Sequence, residues 1–252
     1  MPRQCAFCPT SANMTLEHLW SEWIGKALQA YDIKHRRKTQ SDEVISWRTK
    51  GFTAAAKVVC EGCNGGWMSA LENASKQILE DMIVRCKPVT LSPREITTIA
   101  AITFKNMVVA DYMKDNDRPP FFTNQERWLF RKTLILPKGL QMWFGSMADS
   151  SHGIFKSFTV ETPCNTAYRY EVNIFTYAVG HFLIQSTCFK WKRKSRQKYV
   201  PSGYLTPGPE WSEVAVPLWP NLATPIDWPA RLHLGYQLIE KFAHRFDNAS
   251  TS

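Results

Sequence analysis

The chain has 252 residues, 44% of them apolar and 21% charged, an ordinary globular composition with material for one large cored domain or two small ones. No apolar run reaches the length of about eighteen residues that a membrane helix needs, and Met1-Pro2-Arg3-Gln4-Cys5 offers no apolar stretch for a secretory signal, which excludes those classes and leaves a cytoplasmic protein as the expectation. The formal charge is +9; residues 1–86 hold 11 Lys and Arg against 9 Asp and Glu, so most of the excess lies further along, and a basic chain fits an acidic polymer as partner.

Taken in chain order, the first feature is a cysteine pair, Cys5 and Cys8, matched far downstream by Cys60 and Cys63. Two Cys-x-x-Cys pairs offer four thiolates at the spacing of a tetrahedral structural zinc, because each short loop presents two sulfurs to one metal. Zinc would hold residues 1–70 together, a segment too small and polar to be stable alone. Four thiolates and one Zn²⁺ would lower the working charge to about +7. Cys86, Cys164 and Cys188 stand alone, in the manner of buried small hydrophobes.

After the first pair, Leu19, Trp20, Trp23, Ile24, Ala27, Leu28 and Tyr31 recur at helical spacing and predict an amphipathic helix. Val44 to Trp47 and Ala56 to Val59 predict short strands with Lys50-Gly51 between them. Gly65-Gly66 opens a second helical stripe, from Trp67 to about Arg85. Ser92-Pro93-Arg94-Glu95 is a capping box with proline at the first helical position, predicting a helix to about Tyr112, and Thr123-Asn124-Gln125-Glu126 repeats the signal. Aromatic and β-branched runs at Met142–Phe144, Phe155–Val160, Tyr168–Tyr177 and Phe182–Thr187 predict an antiparallel meander. Trp211 to Leu218 reads as an edge strand, Ala230 to Phe246 as a closing helix, and residues 249–252 as a disordered tail.

Between the cysteine pairs lies Thr15-Leu16-Glu17-His18, and Asn64 follows the second pair directly. A carboxylate and an amide oxygen suit one hard divalent cation, and a free imidazole beside them suits a general base. The order Cys5-x-x-Cys8, Glu17-His18, Cys60-x-x-Cys63-Asn64 resembles the HNH (ββα-metal) endonucleases built on a treble-clef zinc site. Gly65-Gly66-Trp67-Met68 and Leu71-Glu72 resemble bacterial HNH proteins that carry an added C-terminal domain. The resemblance covers roughly residues 3–75. Ser21 stands where the family commonly has proline, and no middle asparagine occurs between Gly51 and Val59.

The resemblance implies a ββα module with His18 as general base, Glu17 and Asn64 as ligands of a catalytic Mg²⁺ or Mn²⁺, and Cys5, Cys8, Cys60 and Cys63 as ligands of a structural Zn²⁺. It further implies hydrolysis of DNA, with RNA as the alternative substrate and 5′-phosphate products. The architecture expected is α+β: a zinc-stapled module over residues 1–86, then a C-terminal domain over 87–248 made of a helical segment, a mostly antiparallel sheet and a closing helix, positioning substrate or regulating activity.

Two basic clusters, Lys34, Arg36, Arg37 and Lys38, and Lys190, Trp191, Lys192, Arg193, Lys194, Arg196 and Lys198, are candidate phosphate contacts, with Trp191 placed to stack on a base; a solvated loop explains each equally well. His35, His152, His181, His233 and His244 have no such context. The competing readings are a non-catalytic zinc-dependent DNA-binding protein, an RNA-cleaving toxin or defence effector, and a scaffold for a protein partner or regulator; the oligomeric state is open.

Overall fold

The computed structural model describes residues 4–28, 33–38, 44–49, 54–113, 119–148, 153–161, 170–191, 207–221 and 224–243. It is mixed α and β, with a four-cysteine cluster near the N-terminus and a mostly antiparallel sheet.

The first strand, β1 (Met14–His18), follows the Cys5–Cys8 turn and pairs antiparallel with β4 (Ala55–Cys60). Between them come the short helix α1 (Glu22–Leu28) and a separate strand pair, β2 (Ile33–Lys38) with β3 (Val44–Thr49). The two strands expected from sequence exist, but they do not pair with each other. Each pairs with an earlier strand that propensity hides: β1 carries only five residues, and β2 is mostly basic. The expected first helix is also shorter than its stripe. Leu19 donates its backbone N–H to Ala54 O at 2.8 Å and so extends the strand pairing, and Leu19 and Trp20 enter the core ahead of α1. Tyr31, Lys50 and Gly51 lie outside the described residues.

Chain direction changes at Cys60, where β4 runs straight into α2 (Glu61–Cys63), a π-helical turn at Asn64–Met68 and α3 (Ser69–Ile83). The helical run thus begins earlier than Gly65-Gly66 indicated; those glycines sit inside it, and Gly66, at φ −95° and ψ −111°, takes the kink. α3 buries Leu71, Ser75, Leu79, Met82 and Ile83, the three- and four-residue spacing of one face.

A short strand β5 (Val89–Leu91) precedes α4 (Pro93–Asp111), which starts where the capping box placed it: Ser92 Oγ accepts from Glu95 N, and Ser92 N donates to Glu95 Oε2 at 2.8 Å. α4 is buried on nearly every side from Ile99 to Asp111, the pattern of a central helix with no solvent face. Phe104 meets Phe122 and Phe130 edge-on at centroid distances of 4.9 and 4.7 Å. α5 (Asn124–Thr133) begins at the second capping box, Thr123 with Glu126.

The strands β7 (Gly153–Glu161), β8 (Tyr170–Val179) and β9 (Phe182–Trp191) form a meander, whereas β6 (Leu140–Met147) pairs with β9 and not with β7, and β10 (Val216–Trp219) adds an edge beside β6, giving the order β10-β6-β9-β8-β7. Alternation along the strands builds two faces. Met142, Phe144, Phe175, Tyr177, Phe182 and Ile184 join the core shared with α4, while Trp143, Met147, Ala178 and Leu183 pack with Ile239 and Phe242 on the other side. β11 (Ile226–Trp228) pairs with β5, and β12 (His233–Leu234) adds a short parallel contact to β6. The closing helix α6 (Tyr236–Ala243) therefore starts later than expected, because Leu234 is held in strand pairing opposite Met147. The expected tail lies outside the described residues.

One hydrophobic cluster takes residues from Cys5 to Trp228, so the boundary expected at residue 86 passes through a shared core. The β8–β9 turn docks closely on α3. Gly180 there has φ +57°, and a Cβ would run into the Ile83 carbonyl at the end of α3, which also accepts the His181 N–H at 2.8 Å. Gly180→Ala should destabilise the chain by about 1–3 kcal/mol and lower its thermal midpoint in a circular-dichroism melt. An unchanged midpoint would contradict this close docking of sheet on helix.

Candidate active site and metal centre

The cysteine pairs reach each other because β4 carries Cys60 to the mouth of the Cys5–Cys8 turn and the following helical turn returns Cys63 to the same point. All four sulfurs are buried and lie within 4.8 Å of one another, with Cys8 Sγ and Cys60 Sγ 3.5 Å apart. A tetrahedral site with metal–sulfur bonds of about 2.3 Å has sulfur–sulfur edges of about 3.8 Å, so the cluster could hold a metal ion with small side-chain adjustments. Backbone N–H groups of Phe7 and Cys60 donate to Cys5 Sγ at 3.4 and 3.3 Å, a polarity that favours thiolate. The hydrogen bond from Cys63, aided by those N–H groups, pulls the Cys5 thiol down to about 4; the same hydrogen bond pushes Cys63 up.

The turn is anchored from the middle of the chain. Arg127, buried on α5, donates to Ala6 O at 2.8 Å and also bonds Tyr112 and Asn124. Phe7 inserts edge-on against Trp67 at 5.1 Å. The metal centre and the later helices are therefore one packed unit.

Glu17 and His18 end β1. A register shift between Thr15 and Leu16 sets the side-chain alternation, leaving Leu16 57% exposed and turning Glu17 inward, where it is 4% exposed. Asn64 donates to Thr15 Oγ1 at 3.1 Å and Leu16 O at 3.2 Å, so its amide N–H₂ group is held by β1 and its oxygen is the atom it can offer to the cleft. Glu17, His18 and Asn64, the three residues singled out in sequence, line one cleft of about 570 Å³ together with Leu16, Ser21, Glu22, Trp23, Lys26, Glu72 and Lys76. Lys26 and Lys76 are exposed at its rim.

Sequence reasoning missed the partner that stands behind Glu17. Lys105, 1% exposed on α4, places Nζ 2.5 Å from Glu17 Oε1 and 3.0 Å from Glu72 Oε1. Burial opposes its charge, but the two carboxylates outweigh burial and hold the ammonium above its ordinary range; burial pushes the Glu17 carboxyl up while Lys105 pulls against that. Removing one partner of such a buried pair typically costs about 3–5 kcal/mol. The missed signal was the lysine itself, set in the apolar stretch Ile99 to Val109, since lysine is almost never fully buried without a partner. Glu72 follows Asn64 by two helical turns and so returns to the same side of the run.

The basic clusters fare differently. Lys190 is engaged internally: its Nζ contacts Glu126 Oε2 at 2.5 Å and Phe121 O at 2.8 Å and sits over the Phe121 ring. Trp191 packs edge-on against Phe189 at 5.0 Å. Lys34, Arg36, Arg37 and Lys38 take backbone positions on β2, and Lys192, Arg193, Lys194, Arg196 and Lys198 lie outside the described residues. Cys188 is buried, its thiol pushed up to about 12 by burial, and Cys86 is partly buried; Cys164 lies outside the described residues. His181 Nδ1 bonds Met147 O at 2.9 Å, and His233 is exposed on β12. Among the described residues no helix is long and apolar enough to cross a membrane.

The chain as purified should carry one metal ion per molecule, and Co²⁺ in its place should give the intense sulfur-to-cobalt absorption of a tetrahedral thiolate site. Cys63→Ser should lose the metal and the cooperative melt together; a metal-free chain that melts cooperatively would contradict a structural metal. Compared with family models, with curated proteins and with solved structures, the chain matches none, and the functional reading rests on the geometry of the cleft.

Proposed function

We propose that the chain is an HNH-type endonuclease that hydrolyses phosphodiester bonds of DNA with a divalent metal, Mg²⁺ or Mn²⁺, and that the four cysteines hold a structural Zn²⁺. The observation that carries this reading is the convergence of Glu17, His18 and Asn64, from two distant segments, on one cleft. An antiparallel strand pair followed directly by a helix, with the imidazole at the end of the first strand and the amide at the start of the helical run, is the order of parts that a ββα-metal unit requires. Four buried thiolates with no open position suit zinc in a structural role, since catalytic zinc keeps one ligand site for water or substrate.

In this reading Glu17 and the Asn64 oxygen hold the catalytic cation, which when bound supplies charge neutralisation for the pentavalent phosphate and the departing oxygen. His18 stays free of metal and takes the proton from a water placed in line with the scissile bond. That water's oxygen attacks phosphorus, the bond to the 3′-oxygen breaks, and the product carries a 5′-phosphate. In this reading Lys76 at the rim, and with it Lys26, which stands 3.8 Å from Glu22, meets neighbouring phosphates, while Trp23 and the exposed Leu16 offer apolar surface to sugar or base. The cation at Lys190 is a lesser candidate, because Glu126 already neutralises it.

Purified protein should nick supercoiled plasmid with Mg²⁺ or Mn²⁺ and not with EDTA. His18→Ala should keep its zinc and its thermal midpoint but lose about 10²–10⁴-fold in rate. RNA cut in preference to DNA under the same conditions would reassign the substrate, and equal behaviour of wild type and His18→Ala would overturn the catalytic role.

A further inference from the structure

We infer that Lys105 is a positioning residue of this active site: it pins one oxygen of Glu17 and balances the Glu17–Glu72 carboxylate pair, so that Glu17 is presented to the divalent ion in a single orientation. The inference deepens the nuclease reading and rests on it.

A carboxylate ending a strand can rotate about its side-chain bonds, and a rotating ligand holds a cation poorly. Here Glu17 is fixed from behind. Lys105 Nζ takes Oε1 at 2.5 Å, which leaves Oε2 as the oxygen a metal in the cleft would meet. Glu72 Oε1, at 3.0 Å from the same ammonium, holds Lys105 from the cleft side, with its own side chain partly exposed there. Two carboxylates around one buried ammonium leave a single net negative charge, a deficit that one divalent cation more than offsets. Without the ammonium, the buried Glu17 carboxylate and the partly exposed Glu72 carboxylate beside it would repel each other and draw the cation to either one.

The source of the lysine also matters. Lys105 comes from α4, beyond the Glu17, His18 and Asn64 segments, so the chain past residue 86 takes part in building the site in addition to any role in substrate positioning or regulation.

Two variants test this. Lys105→Met alone strands the buried Glu17 carboxylate beside the partly exposed Glu72 and is expected to unfold readily. The double variant Lys105→Met with Glu72→Gln removes one charge of each sign and keeps the net charge; because Glu72 lines the same cleft, Glu72→Gln alone is its control, and a shift in metal requirement beyond that of the single variant reports the anchoring of Glu17. Zinc content and a thermal melt come first, then plasmid nicking against Mn²⁺ concentration and against DNA concentration, with Mn²⁺ binding followed directly by electron paramagnetic resonance. The expected result is a folded, zinc-bound double variant whose half-saturating Mn²⁺ rises and whose kcat falls, each by about 10- to 100-fold, with the KM for DNA unchanged. A folded double variant with the wild-type Mn²⁺ requirement and kcat, beside an active wild type, overturns the inference and leaves the nuclease reading intact. A double variant that loses its zinc or its cooperative melt makes Lys105 a structural lysine and overturns the positioning role. A wild type that neither nicks nor binds Mn²⁺ overturns the nuclease reading and this inference with it.

Discussion

The ion pair between Lys105 and Glu17 is the constraint around which the chain is arranged. A charge buried to this degree persists only beside its partner, so the central helix and the strand that carries the candidate site must sit in one fixed relation. The rest of the packing serves that relation. Phe104, one residue before Lys105, is enclosed by Phe122 and Phe130, and Phe130 in turn meets Trp67 and Phe7 of the cysteine turn. The sheet closes the opposite side by seating its Gly180 turn on the end of α3. A site of three side chains from two segments is thereby held by parts of the chain that stretch past residue 180.

The four-cysteine cluster does a different job. It brings the turn that leads into β1 and the start of the helical run to one point; Glu17 and His18 lie at the other end of that strand, and Asn64 directly follows Cys63. A metal held there would cross-link segments far apart in sequence, and closing a long loop removes more freedom from the unfolded chain than closing a short one. Arg127 and Phe7 then tie that cross-link into the same core as Lys105. The cysteine cluster and the candidate cleft are adjacent but chemically separate: four sulfurs that could hold a metal ion in one, a carboxylate, an amide and an imidazole in the other.

How much of this was legible in the sequence depends on whether the signal was local. The Ser92–Glu95 and Thr123–Glu126 capping boxes mark the starts of α4 and α5 because a cap is decided by four consecutive residues. The Cys-x-x-Cys pairs, Glu17-His18 and Asn64 were readable for the same reason, and the meander strands announced themselves by β-branched and aromatic runs. What was hidden is non-local. β1 is a strand because β4 lies beside it, Leu19 and Trp20 are drawn out of the helical stripe by pairing with Ala54, and Leu234 leaves the closing helix to pair with Met147. Lys105 looked like an ordinary polar break in an apolar stripe; only the fold supplies the two carboxylates that explain it. Lys190 shows the reverse case, a residue counted in a basic patch that the fold pairs with Glu126.

The claim that this cleft holds a divalent cation between Glu17 and Asn64 is tested most directly by counting bound Mn²⁺ by electron paramagnetic resonance in protein whose cysteine site is already filled with zinc. The account predicts one Mn²⁺ per chain, displaced by Mg²⁺, lost in Glu17→Gln and in Asn64→Ala, and retained in His18→Ala. Absence of bound Mn²⁺ in the wild type, or binding that is indifferent to Glu17 and Asn64, would contradict it.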